Sequence, residues 1–262
     1  MTEQIIRFED GAAYEQMMGI WSQLVGNVFL QWLAPPPGLR WVDVGCGSGA
    51  FTELLVEQCA PARVEGVDPS EGQLAYARNR FPVGPANFSK GDAMTLPFAN
   101  HSFDAAVMAL VLVFVPDPRR AVDEMVRVVS PGGMVATYMW DMLGGGVPLE
   151  PILLEMRGMG LSPPRPPRME ASRMEELLDL WKGAGLNRVE SREIEVRRTF
   201  ANFEEFWSAK QKAPSIGIAI ASMSSAEVAT LKDRVRARLT ADAEGRIVYA
   251  ARANAIRGYA PD

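Results

Sequence analysis

Short apolar runs recur along the first 140 residues, separated by stretches of mixed character, and this alternation is the dominant pattern of the chain. Trp41 to Val44, Val64 to Val67, Ala105 to Leu110 and Met134 to Met139 have the length and composition of buried strands. Each is followed by room for a helix. Helices are predicted at about Gly49 to Gln58, Ser70 to Asn79 and Pro118 to Val129, the second with Ser70 as N-cap after Pro69. Strand and helix in alternation predict an α/β fold, a parallel sheet with helices on both faces.

Ahead of these runs, Met17, Ile20, Trp21, Leu24, Val25, Val28, Phe29 and Trp32 fall at helical spacing, predicting a helix from about Tyr14 to Leu33 that Pro35-Pro36-Pro37 stops. After Trp140 the pattern breaks. Gly144-Gly145-Gly146 and the proline-rich Ser162 to Arg168 predict an inserted loop from about Asp141 to Glu170 with one short helix near Leu149 to Met156. A helix at about Ser172 to Gly183 then leads to a charged, alternating strand, Val189 to Phe200. Phe203 to Arg238 reads as helical with a break near Pro214 to Gly217, and Ile247 to Ile256 as a final strand.

Composition narrows the class. Of 262 residues 48% are hydrophobic and 23% charged, which suits a globular chain rather than a disordered one. A net charge of −5 argues against a general nucleic-acid surface, which needs clustered Lys and Arg. Cys46 and Cys59 are too few for a disulfide framework or a thiolate metal site, so a reducing, cytoplasmic setting is expected and no metal. No secretory signal is visible at Met1 to Asp10, and the longest uncharged apolar run, Ala105 to Pro116, is too short for a membrane span.

The chemistry concentrates where strands end. Val42-Asp43-Val44-Gly45-Cys46-Gly47-Ser48-Gly49-Ala50 reads as a strand, a glycine loop and the start of a helix, an arrangement that binds nucleotide-like ligands. Gly45, Gly47 and Ala50 also satisfy the looser dinucleotide fingerprint, which leaves a nicotinamide cofactor open. Asp43 points elsewhere, because an acid two residues before the first glycine repels a diphosphate and suits a ligand carrying a cation. Asp68 closes the second strand, where an acid accepts both hydroxyls of a ribose or caps the Ser70 helix. Asp92, after a third short strand at Asn87 to Lys90, is placed to accept from the exocyclic amine of a base.

Taken in order, Val42 to Ala50, Val67-Asp68-Pro69-Ser70, Gly91 to Phe98, Ser102-Phe103-Asp104 and Val128 to Gly133 resemble the class I S-adenosylmethionine-dependent methyltransferases. The likeness is to the small-molecule branch that includes the ubiquinone and menaquinone C-methyltransferase type, a methyltransferase type 11 domain. It covers Arg40 to Trp140 and, more loosely, the leading helix and the tail.

The resemblance implies a three-layer Rossmann-like sandwich whose seven-stranded, mostly parallel sheet has its last strand antiparallel, with helical cap elements. Residues 1–262 would form one methyltransferase domain: a capping helix in 1–37, a cofactor-binding core in 38–140, a lid in 141–171, and the rest of the sheet in 172–262 with a helical insertion at 201–245. S-adenosyl-L-methionine would be the cofactor and S-adenosyl-L-homocysteine its product. Gly45, Gly47 and Gly49 would lie under the methionine moiety, Asp43 would face its ammonium and Asp68 would hold the ribose. Pro69 and Gln73 would border the adenosine, Asp92 would meet the adenine amine, and Ala93 or Met94 would line the base. Ala109, Leu110 and Val111 would face the sulfonium.

Methyl transfer needs a held nucleophile and excluded water, and a base only when the nucleophile must lose a proton. The expected partner is a small, partly apolar metabolite. Tyr14, Tyr138 and Asp141 are the catalytic candidates, the latter two at and after the end of the fifth strand. His101, the single histidine, reads as a surface-turn residue. Related chains often carry a polar residue where Val113 stands and an arginine where Ile20 stands, so a base or charged clamp from those positions is in doubt. Met17, Ile20 and Trp21 read either as a packing face or as substrate contacts, and Phe203, Phe206 and Trp207 as core or as a lid lining. The methionines Met139, Met142, Met156, Met159, Met169 and Met174 suit gap-filling or an adaptable pocket. Arg165 and Arg168 are either solvated or poised for an anionic substrate, and Cys46 reads as inert. The alternatives to a methyltransferase are a non-catalytic protein that binds the same cofactor and a nicotinamide-dependent oxidoreductase.

Overall fold

In a computed structural model, which describes residues 18–210 and 213–261, the strands assemble into one seven-stranded sheet. The strands are β1 (Arg40–Val44), β2 (Arg63–Asp68), β3 (Ala86–Lys90), β4 (Phe103–Ala109), β5 (Val129–Trp140), β6 (Asn187–Phe200) and β7 (Ile247–Tyr259), in the order β3-β2-β1-β4-β5-β7-β6. Strands β1 to β5 pair parallel, and β7 inserts antiparallel between β5 and β6. This is the expected sandwich with its antiparallel final strand.

Helices α1 (Ile20–Leu33), α2 (Ala50–Cys59), α3 (Glu71–Arg80), α4 (Pro118–Val128), α5 (Glu150–Gly158) and α6 (Met174–Gly183) cover the sheet. Ser70 caps α3 as predicted, accepting from Gln73 N, and Asp117 caps α4 by accepting from Arg120 N, with Pro118 inside the first turn. One apolar face of α1 packs inward through Trp21, Val25, Phe29, Leu30 and Leu33. That settles Trp21 as packing, whereas Ile20 is 47% exposed and does not belong to this face. Tyr14 and Met17 lie outside the described residues. Arg257 on β7 fastens the end of α1, donating to the carbonyls of Trp32 and Leu33.

The C-terminal insertion holds α7 (Phe203–Lys210), α8 (Pro214–Ala221) and α9 (Ser225–Arg238). The predicted break at Pro214 to Gly217 is displaced, because Pro214 occupies the first turn of α8, where its missing N–H costs nothing. Phe203, Phe206 and Trp207 are buried and stack on one another, so they are core. Strand β5 runs longer than its apolar run because it begins at Val129, which pairs parallel with Phe103 of β4, and β6 begins earlier than its alternating stretch because Asn187 pairs with Tyr259 of β7. No helix among the described residues is long and apolar enough to cross a membrane.

Two of the five motifs brace the end of the sheet away from the glycine loop. Asp104 at the start of β4 takes a two-pronged bond from Arg40 at the start of β1, at 2.7 and 3.0 Å, and also accepts from the Arg40 N–H. Gly133 fits closely there, since a Cβ would lie 2.7 Å from the Asp104 carbonyl oxygen. His101 takes a left-handed turn with its ring on the Val129 carbonyl, the surface role read from its sequence.

Candidate functional site

The sheet order reverses beside β1, with β2 on one side and β4 on the other, and a crevice opens beyond the carboxyl ends of these strands. A cavity of about 900 Å³ fills it. Asp43, Gly45, Gly47, Asp68, Pro69, Gln73, Asp92, Ala93, Met94, Ala109, Leu110, Val111 and Tyr138 all line it. Two described candidates do not: Gly49 is turned away and Asp141 is engaged elsewhere. Tyr14 is outside the described residues.

The glycines divide their work differently from the expectation. Gly45 and Gly49 have φ of +75° and +78°, and a Cβ on Gly45 would meet both Val111 methyls at 2.6 Å, while one on Gly49 would press on Ala77, Phe81 and Phe88. Their bareness thus serves the packing of the loop on Val111, just past β4, and of the start of α2 on α3 and β3. At Gly47 the nearest atom to such a Cβ is the Gln73 amide oxygen at 3.7 Å, so this glycine leaves room for a ligand. The loop is pinned by Gly45 and Cys46 N–H groups donating to the Val67 carbonyl at 2.7 and 3.1 Å.

Asp43 is fully buried at the base of the cavity. Thr52 Oγ1 donates to its Oδ2 at 2.6 Å, while its Oδ1 has no partner among the described residues. Burial pushes its pKa up to about 7, the Thr52 bond opposes this, and the Asp68 charge adds to it. Asp68 accepts from Gly47 N at 3.0 Å and Ser70 N at 2.8 Å, so it ties the loop to the start of α3 and retains further lone pairs. Burial raises its pKa too, against these two amide bonds. Asp92 is exposed and accepts from Met94 N at 2.8 Å, which fixes the turn that presents Ala93 and Met94. Cys46 is buried, and desolvation with the neighbouring acids holds its thiol well up, as expected of an inert residue.

The lining carries four acids, Asp43, Asp68, Glu71 and Asp92, and among the described residues no Lys, Arg or His. Such a surface favours a cationic ligand and leaves a diphosphate without a counter-charge.

On the opposite wall, Tyr138 is buried between Phe29 and Phe51, with ring centroids 4.7 and 5.7 Å away. Asp141 instead pairs with Arg252 at 2.5 Å and accepts from Gly144 N at 2.8 Å, so it anchors the triple-glycine turn. The methionines near the insertion do not line the cavity, and Met139 and Met156 are buried as gap-fillers. Arg168 holds the proline-rich loop on the cavity rim through the Pro116 and Val113 carbonyls.

Ser22, Phe51, Glu71 and Phe114 also line the cavity, and the motifs did not name them as site residues. The buried Ser22 Oγ has no partner among the described residues; its place on the leading helix was the available signal. Leu110 sits at φ 61°, a left-handed conformation that costs a non-glycine residue roughly 1–2 kcal/mol. Its N–H donates to the Tyr138 carbonyl at 2.9 Å, which holds the strained turn against the wall.

The fold is Rossmann-like, and residues 42–137 match the family model described as a methyltransferase domain. The resemblance carried by the motifs is borne out over this segment. Across 113 residues the chain is 37% identical to the demethylmenaquinone methyltransferase of Desulfitobacterium hafniense (strain Y51), covering 41% of this chain and 45% of that protein. It is also 37% identical over 106 residues to the trans-aconitate 2-methyltransferase of Variovorax paradoxus (strain S110), covering 40% of each. The chain thus spans less than half the length of these curated relatives. Its fold is similar to that of Haemonchus contortus phosphoethanolamine N-methyltransferase 2 in complex with S-adenosyl-L-methionine. The TM-score is 0.59 at 20% identity, over 96% of this chain and 57% of that one.

Proposed function

We propose that this protein transfers a methyl group from S-adenosylmethionine to a small, partly apolar molecule. The observation that carries the proposal is the four-acid cavity with Asp43 at its base, one buried carboxylate oxygen unpartnered among the described residues. An ammonium placed there would satisfy that oxygen and restore the ionised form of Asp43. The open surface at Gly47 leaves room for a chain beside it. When bound, the cofactor supplies an activated methyl on a sulfonium.

The protein's own contribution is to bind, orient and exclude water. Asp68 would accept from the ribose hydroxyls with the lone pairs that Gly47 and Ser70 leave. Asp92 and the Ala93-Met94 turn would take the base. Phe51, Phe114 and Val111 supply an apolar wall that keeps the reacting centre dry. Tyr138 is the candidate for orienting the acceptor. The demethylmenaquinone and trans-aconitate relatives differ in acceptor, so the acceptor class rests on the apolar wall and not on either name.

Asp68→Ala is expected to weaken S-adenosylmethionine binding by about 1–3 kcal/mol through lost hydrogen bonds; unchanged affinity in a titration would remove Asp68 from the site. Tyr138→Phe is expected to lower turnover more than cofactor affinity, and equal turnover would exclude its hydroxyl from the reaction. The direct test of activity is release of S-adenosylhomocysteine across a panel of small acceptors, among them quinols and organic acids. A blank panel despite tight cofactor binding would favour the non-catalytic reading.

A further inference from the structure

Lys210, the last residue of α7, is wholly buried, and its Nζ has no hydrogen-bond partner among the described residues. Three rings surround it, with centroids at 4.6 Å (Trp21), 5.6 Å (Phe200) and 5.8 Å (Phe206). Aromatic faces attract an ammonium, yet they do not accept its N–H bonds as an oxygen does. Nearby on β6, Arg198 lays its guanidinium 4.5 Å from the same Phe200 ring, and its buried Nη1 is likewise unpartnered among the described residues. Both basic groups therefore lie over the Phe200 ring with donors unused, and desolvation plus the Arg198 charge drives the lysine pKa well down.

Neither cation forms an ion pair with a carboxylate among the described residues. The charge of Glu205 favours the Arg198 cation without an ion pair, and its Oε2 accepts from the Ala201 N–H at 2.6 Å. Elsewhere in the insertion the cations are served: Lys232 and Arg236 both pair with Glu204. The indole N–H of Trp21 adds a third buried donor without a partner among the described residues. Like charges brought together with their donors free are costly unless an anion joins them.

We propose that Arg198, Lys210 and Trp21 form an anion site, separate from the methyl-transfer cavity, for a carboxylate carried on an apolar body. The chemistry selects this class. A carboxylate matches the planar guanidinium fork, the rings favour an apolar attachment, and a single charge is cheaper to bury than a phosphate dianion. Arg198 is partly exposed, so the ligand enters past β6, and the four torsions of Lys210 let its ammonium turn toward it. The site stands whether or not the chain transfers methyl groups.

The test is isothermal titration of the full-length protein with sodium benzoate at constant ionic strength, with benzamide and inorganic phosphate as parallel probes. Saturable benzoate binding is expected, absent with benzamide, weaker with phosphate, and reduced at least about tenfold by Lys210→Met and by Arg198→Gln. Arg198→Gln lies on the more exposed side chain and carries the test should Lys210→Met not fold. Absence of saturable benzoate binding, benzamide binding as well as benzoate, tighter binding of phosphate, or binding that both variants leave unchanged would each overturn the proposal.

Discussion

Asp43→Asn is expected to weaken S-adenosylmethionine binding by about 2–5 kcal/mol, roughly 30-fold to several-thousand-fold, the usual loss on truncating one side of a buried charge pair. The substitution keeps an acceptor for Thr52 Oγ1 but puts an NH2 where the unpartnered Oδ1 lies, so a donor faces a cation. The same carboxylate sets a pH dependence. With its pKa at about 7, affinity in the wild type is expected to fall as pH drops from 7 to 5.5, because Asp43 takes up a proton that the ammonium must displace. Asp43→Asn should flatten that slope.

A second consequence has the opposite sign. A carboxyl raised from 3.8 in the unfolded chain to about 7 in the folded one stabilises the ligand-free protein fully below pH 4 and loses that contribution as pH rises through 7. The loss amounts to roughly 4 kcal/mol. Without ligand, Asp43→Asn should therefore gain most over the wild type at pH 8. Comparing the two proteins at each pH cancels Lys210, whose depressed pKa acts the other way. Denaturant melts at pH 5 and pH 8 check this, and a difference that does not change with pH would contradict the burial argument.

Gly45→Ala is expected to be the most damaging single methyl in the site. Its backbone at φ +75° strains any L side chain by roughly 1–2 kcal/mol, and the new Cβ would overlap both Val111 methyls at 2.6 Å, adding about 1–3 kcal/mol. A melting temperature lower by roughly 5–15 °C follows for a domain of this size. The double variant Gly45→Ala with Val111→Ala should recover the overlap and keep the strain. Were the double variant no more stable than Gly45→Ala alone, the contact with Val111 would not be the cause.

The parallel half of the sheet was legible because its strands are short runs closed by a signal of their own: Gly45 after β1, Asp68 at the end of β2, Gly91 after β3. The acids at strand ends were legible as a set because they recur at the same place in three successive units. What each glycine touches was not. Gly45 and Val111 lie far apart in sequence, and only the fold shows that the first is bare to admit the second. Asp104 read as part of a functional series because its neighbours are, whereas its partner Arg40 places it among the braces of the sheet. Asp141 sits one residue past β5, where a catalytic acid would be plausible, yet Arg252 on β7 claims it, a pairing set by the antiparallel insertion and by no local pattern. Pro214 misled in the other direction, since a proline ends one helix or begins the next depending on the chain before it. The cations Arg198 and Lys210 carry no motif, and burial without partners is visible only in three dimensions.

Calorimetric titration at pH 7.5 with S-adenosylmethionine and with NAD decides whether the four-acid cavity takes a sulfonium nucleoside or a dinucleotide. One saturable S-adenosylmethionine site is expected, at least about 30-fold weaker in Asp43→Asn, with no saturable heat from NAD. Saturable NAD binding with no response to S-adenosylmethionine would contradict the sulfonium reading.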